Sequence, residues 1–194
     1  MIIYTTKKTV ERYKLKLPAE LPPPINKDVQ ALMEKESGDK LLEWGAKLFY
    51  FDGKKCIQIV NFASKLTLIL MDIKIADLEN IGDMIAYYLF ELYKKDKEMT
   101  KALEKMFEGT PMFCFAKLTD KGVIGTLNTT QSQLVYNGYC FFESIQDAVL
   151  YNVEINHAVN FEWVFNIKIN GKTKYVRAGE NFKKILLDRY GKGQ

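Results

Sequence analysis

The chain has 194 residues, with 47% hydrophobic and 27% charged residues and a formal net charge of +4. That length makes one domain or one and a half, long enough to bury a real core. The composition is ordinary globular usage and excludes a disordered chain, a collagen-like fibre and a coiled coil.

Ile2-Ile3-Tyr4 reads as a short opening strand. Thr5 or Thr6 then caps a first helix, because a threonine oxygen satisfies an orphan N–H at a helix start. Pro18 and Pro22-Pro23-Pro24 predict an extended connector over 18–26, preferred to a ligand for another protein. A short helix follows from Asn26 or Asp28, with Val29, Leu32 and Met33 as its apolar stripe.

The strand-like runs 42–51 and 54–60 flank Asp52-Gly53. That dipeptide is a strong hairpin signal, since both turn positions favour positive φ. A turn at 61–65 leads into the almost wholly apolar run 66–71, so three strands form a meander. Asp77 caps the next helix, in which Leu78, Ile81, Ile85, Leu89 and Leu92 recur at helical spacing. A further helix covers 99–108 and stops at Gly109.

Runs 112–118 and 123–127 around Asp120-Lys121-Gly122 predict a second hairpin, followed by a short polar helix. Ser144 with Asp147 opens another helix. Runs 161–169 and 172–177, joined by Asn170-Gly171, predict a third hairpin, and a terminal helix carries Phe182, Ile185, Leu186 and Leu187. The expected fold is α+β, a mainly antiparallel sheet built from hairpins with amphipathic helices packed on it. Residues 1–194 read as one domain, with 139–194 as a possible accessory lobe.

Several chemistries are disfavoured. No apolar run is long enough to cross a membrane, and the polar Thr5-Thr6-Lys7-Lys8 follows the apolar start, the wrong order for a signal peptide. A cytoplasmic protein is expected. Cys56, Cys114 and Cys140 are scattered, with no metal-ligand spacing, and read as reduced, mostly buried thiols. His157 is the only histidine. It reads as a partly exposed helix-end residue, with no nucleophile signature beside it. Neither GxGxxG nor GxxxxGK[ST] occurs, and no cofactor or metal is implied.

Three constellations merit weighing. Glu79 with Asp83, and Glu143 with Asp147, are acids four apart. Such pairs usually sit on the wet face of an amphipathic helix, and that reading is preferred. Asn152, Asn156 and Asn160 also recur every four residues. They can read bases or a peptide backbone, but a solvated face at a helix end is the cheaper expectation. Phe161, Trp163 and Phe165 alternate, so as strand residues they share a face that could stack on bases; packing against a helix is the commoner fate of such a row.

Charge is uneven along the chain. Residues 1–17 hold five cations and one acid, net +4; residues 166–194 hold eight and two, net +6; the stretch between is net −6. If the termini meet, Lys7, Lys8, Arg12, Lys14, Lys172, Lys174, Arg177, Lys183, Lys184 and Arg189 make one positive surface for an anionic partner. They can equally engage the acidic middle of the same chain.

The opening Ile2-Ile3-Tyr4-Thr5-Thr6-Lys7-Lys8, the block 42–71 beginning Leu-Leu-Glu-Trp, and Asn156 followed by Tyr175 and a terminal helix resemble a family of bacterial, phage and plasmid proteins known only as a domain of unknown function. That resemblance implies a cytoplasmic setting and a link to mobile elements, and it transfers no functional residue. With one histidine, no metal cluster and no phosphate loop, the expected activity is non-enzymatic binding through a protein interface. Nucleic-acid binding through the basic ends is the alternative, and an enzyme of unrecognised class a further one.

Overall fold

The computed structural model describes residues 1–51, 53–110, 112–139, 148–169 and 172–191. Asp52, the Asn170-Gly171 turn, Cys140, Glu143, Ser144 and Asp147 lie outside the described residues.

Strand β1 (Ile2–Thr5) opens the chain. Helix α1 (Lys7–Tyr13) follows at once because Thr6 caps it, accepting the Thr9 N–H. Lys14 ends α1 in the left-handed region and turns the chain aside. The expected connector instead contains a short 3-10 turn at Pro18–Glu20, and α2 (Ile25–Glu36) begins directly after Pro24. Proline needs no N–H at a helix start, so the proline run leads into a helix.

The expected meander is present as β2 (Glu43–Phe51), β3 (Lys54–Asn61) and β4 (Thr67–Leu70). Gly53 supplies the positive φ that the first turn requires. Asp77 does not cap the long helix. Its carboxylate accepts from the Lys74 N–H and stabilises a 3-10 turn over Ala76–Asn80, after which α3 (Ile81–Tyr93) runs free. Asp96 caps α4 (Lys97–Glu108) by accepting the Met99 N–H.

The second hairpin is a correction. Only β5 (Cys114–Lys117) is a strand; α5 (Lys121–Tyr136) replaces its return strand and absorbs the short polar helix. Asp120, read as a turn residue, is the helix cap, its carboxylate 2.7 Å from the Val123 N–H. Val123, Leu127, Thr130 and Leu134 are the buried face of this helix. Packing on the sheet overrides the poor helix propensity of Gly122, Gly125 and the threonines.

After α6 (Ala148–Phe161), β6 (Phe165–Ile169) and β7 (Lys172–Val176) form a separate two-stranded sheet, and α7 (Ala178–Tyr190) follows. The five-stranded sheet has the order β4-β3-β2-β1-β5. β1 is parallel to both β2 and β5, while β2, β3 and β4 are antiparallel. The fold is α+β, with a mixed rather than mainly antiparallel main sheet. Parallel pairs need long crossovers, and here the α1–α2 segment supplies one.

One sheet face packs Ile3, Trp44, Leu48, Ile59 and Leu68 against α3, α4 and α7. On the other, Ile2 meets Val29 of α2, Val60 meets Val123 and Leu127 of α5, and Phe49 and Ile69 meet Leu134, Ile155 and Val159. α6 lies along the β4 edge. The side chains of Asn152, Asn156 and Asn160, expected on a solvated face, are buried there and hydrogen-bonded.

Candidate functional site

The basic segments dock on different neighbours. α1 packs on β2, where the Thr9 hydroxyl accepts the Leu48 N–H and the Tyr13 hydroxyl donates to the Ile73 carbonyl. Lys7, Lys8, Arg12 and Lys14 are exposed along it. α7 packs on α4 and α6 through Phe182 and Leu186. Lys172, Lys174, Arg177 and Lys184 are exposed, whereas Lys183 and Arg189 reach acids of the central segment, Lys183 with Asp96 at 2.6 Å and Arg189 with Asp39 at 2.5 Å. Lys7 pairs with Glu11 within its own helix.

The aromatic row does not share a strand. Phe161 is the last residue of α6 and packs on Tyr93, ring centroids 5.7 Å apart. Trp163 sits in the following turn against Tyr139, and Phe165, buried, opens β6. The helix persists to Phe161 because Asn160 is held against Thr67. An alternating pattern therefore marks three separate packing positions.

The catalytic candidates lie on different elements. Glu79 belongs to the 3-10 turn and Asp83 to α3, both on open surface. Cys56 is fully buried. Burial pushes the Cys114 thiol up to about 11, the opposite of activation. His157 is exposed and lies beside Phe161 at 4.9 Å. Among the described residues no group of three metal-ligating side chains comes together, and no helix is long and apolar enough to cross a membrane.

The sequence reading missed a groove outside β5. The left-handed Lys14 sends the chain past this strand: Leu15 packs on one face cluster of the sheet and Leu21 on the other. Between this wrap, the 3-10 turn at 76–80 and β5 lies a cavity of about 460 Å³. Leu15, Leu21, Leu78, Phe113 and Phe115 line it, with Lys14, Lys16 and Glu79 at the same site. Ile25 and Ile75 also border it and remain 50% and 53% exposed. In the sequence Ile25 continues the Val29, Leu32 and Met33 stripe and Ile75 precedes Leu78 by three, so both read as core and not as the rim of a groove.

A family model covers residues 2–181, from β1 into the first turn of α7. The chain belongs to DUF6933, a domain of unknown function. The match takes in the whole mixed sheet and all three asparagines of α6, so the architecture above is that of a DUF6933 domain. It agrees with the resemblance carried by the opening strand and the 42–71 block. No curated protein matches the chain.

Proposed function

We propose that this protein is a non-enzymatic cytoplasmic binding protein, carried by a phage or mobile element, whose groove outside β5 takes a segment of a partner protein. The observation that carries this reading is the pair Ile25 and Ile75. Large apolar side chains rimming a cavity at half exposure mark recognition surfaces more often than solvated ones. Two lysines against one glutamate select the occupant: a segment that presents two or three apolar side chains flanked by acidic residues. The dispersal of Glu79, Asp83, His157 and the two described thiols supports binding over catalysis.

The test is site-specific photo-crosslinking from position 75 of the full chain, in cells that naturally carry the gene. The expected result is a discrete protein adduct whose crosslinked segment is acidic and apolar. Its yield should fall about fivefold in the Lys14→Glu, Lys16→Glu double variant, as the loss of two rim charges implies. A nucleic-acid adduct, no adduct, or an adduct indifferent to those charges overturns the reading.

A further inference from the structure

A second cleft lies where β2 outruns β1. The β1–β2 ladder ends at Thr5 and Ala46, yet β2 continues to Phe51. Past the Leu48 N–H, which Thr9 takes, α1 leans to one sheet face and α5 to the other. Tyr50 emerges between them, 49% exposed. A cavity of about 550 Å³ opens there, lined by Phe49, Tyr50, Gln131, Val135 and Tyr136. Tyr136 is 90% exposed, the most open large hydrophobic side chain of the described residues.

Two cations stand beside lining residues of this cleft, Lys47 at Gln131 and Lys8 at Tyr50, with no ion pair among the described residues. Among the described residues the Lys47 ammonium donates only to neutral acceptors, Asn128 Oδ1 at 2.6 Å and Gln131 Oε1 at 3.0 Å. The Lys8 ammonium stands 5.9 Å from the Tyr50 ring centroid. Burial, and then the charge of Lys8, lower the affinity of Lys47 for its proton. A third group is also incomplete: Gln131 Nε2 is buried without an acceptor. An unneutralised pair of ammoniums, an amide donor without a partner and an open aromatic ring together form a complement to one chemical class.

We propose that this cleft binds a nucleotide unit, its phosphate between Lys8 and Lys47 and its base against Tyr136. The phosphate relieves the repulsion of the two ammoniums, which an uncharged ligand cannot do. The base stacks on the exposed ring, a contact every base can make. Gln131 Nε2 has no exposed surface, and it donates to a phosphate or base oxygen when its side chain turns into the cleft. Tyr50 holds Lys8 through its ring face and shapes the wall. A free nucleotide and one residue of a single strand share this chemistry.

The test uses the full chain with two probes, a fluorescein-labelled deoxythymidine decamer read by polarisation and AMP read by calorimetry. Salt should weaken binding markedly, since phosphate contacts release counterions. Lys8→Glu and Tyr136→Ala, both at exposed positions, should each raise Kd by about tenfold with unchanged melting, as loss of one stacked base or one phosphate contact implies. Lys184→Glu, on α7, should leave Kd within about twofold. Binding of the decamer alone identifies a strand as the source, and comparable binding of AMP a free nucleotide. Absence of binding by both probes at low salt overturns the proposal. So does binding untouched by Lys8→Glu and Tyr136→Ala, weakened equally by Lys184→Glu, or matched by a poly-glutamate peptide.

Discussion

Asn156 holds Ile69 by both of its backbone groups: its Oδ1 accepts the Ile69 N–H at 2.7 Å and its Nδ2 donates to the Ile69 carbonyl at 3.1 Å. Asn160 does the same to Thr67, at 2.8 and 2.6 Å. Four helical residues advance about 6.0 Å and two strand residues about 6.6 Å, so asparagines at i and i+4 match alternate residues of a strand. β4 is the edge of the main sheet. A helix face thus takes the place of a further strand and closes an edge that would otherwise offer pairing to another chain. The ladder continues inward, Asn156 donating to Asn152 Oδ1 and Asn152 to the Tyr88 hydroxyl.

Asn156→Ala leaves the Ile69 N–H and carbonyl buried and unpaired. Each costs roughly 1–3 kcal/mol, so a total loss of about 2–6 kcal/mol is expected in urea unfolding. Asn156→Asp keeps the shape but turns a donor into an acceptor facing a carbonyl, and buries a charge. Its buried carboxyl has a raised pKa, so it should be the worse variant at neutral pH and recover part of its deficit as pH falls and the group protonates. A deficit that does not change with pH shows that the amide is not aimed at the strand.

Some of this was legible in the sequence. The β2–β3 hairpin could be read from Asp52-Gly53 because both runs and the turn are local. The pairing of β1 with β5 could not, since Ile3 and Phe115 lie far apart in the chain and short apolar runs carry no address for a partner. α5 reads as a strand in the sequence because Val123 and Ile124 look strand-like and Asp120 serves turn and cap alike. The α6 asparagines showed the right period and the wrong environment: a polar helical stripe implies water unless an unpaired sheet edge waits beside it. The cleft was invisible for the same reason, as Lys8, Tyr50 and Gln131 come from three elements that only the sheet assembles.

Burial pushes Tyr13 and Tyr88 up to about 12 from an ordinary 10.0. In the unfolded chain both ionise near 10, so between about 10 and about 12 the unfolded state loses protons that the folded state keeps. Stability from these two groups is complete below pH 10 and falls as pH rises through that window. A phenolate absorbance titration should show Tyr13 and Tyr88 among a delayed group of tyrosines that burial also extends to Tyr4, Tyr93 and Tyr190, with a coincident loss of structure. Tyr88→Phe should remove one of them; ionisation of all tyrosines near 10 in the folded protein contradicts the packing.

Asp96 serves two partners. It caps α4 through the Met99 N–H and meets Lys183, whose hydrogen bond is the main reason its carboxyl is held below the ordinary range. A depressed carboxyl stabilises the fold at neutral pH, and that contribution fades as pH falls through its folded-state pKa. Asp96→Ala should cost about 1 kcal/mol through the cap, and the cost should shrink in acid. Lys183→Ala should cost less, because this partly exposed pair is screened by solvent. A larger cost for Lys183→Ala than for Asp96→Ala shows that the ion pair, not the cap, is the stabilising element.

Gly179 is fixed by two neighbours. Its carbonyl accepts the Tyr93 hydroxyl at 2.7 Å, and a Cβ at this position would lie 2.5 Å from the Phe161 ring. Phe161 cannot retreat freely, since it is packed on Tyr93 and closes the helix that Asn160 pins to β4. Gly179→Ala gains helix propensity of roughly 1 kcal/mol but overpacks a buried contact, which costs about 1–3 kcal/mol. A net loss of stability is expected. Adding Phe161→Leu should recover most of it, because the two changes share one contact and are not additive. If Gly179→Ala stabilises the protein, or Phe161→Leu gives no rescue, then the ring does not press on this glycine, and the junction of α6 and α7 has room for a methyl group.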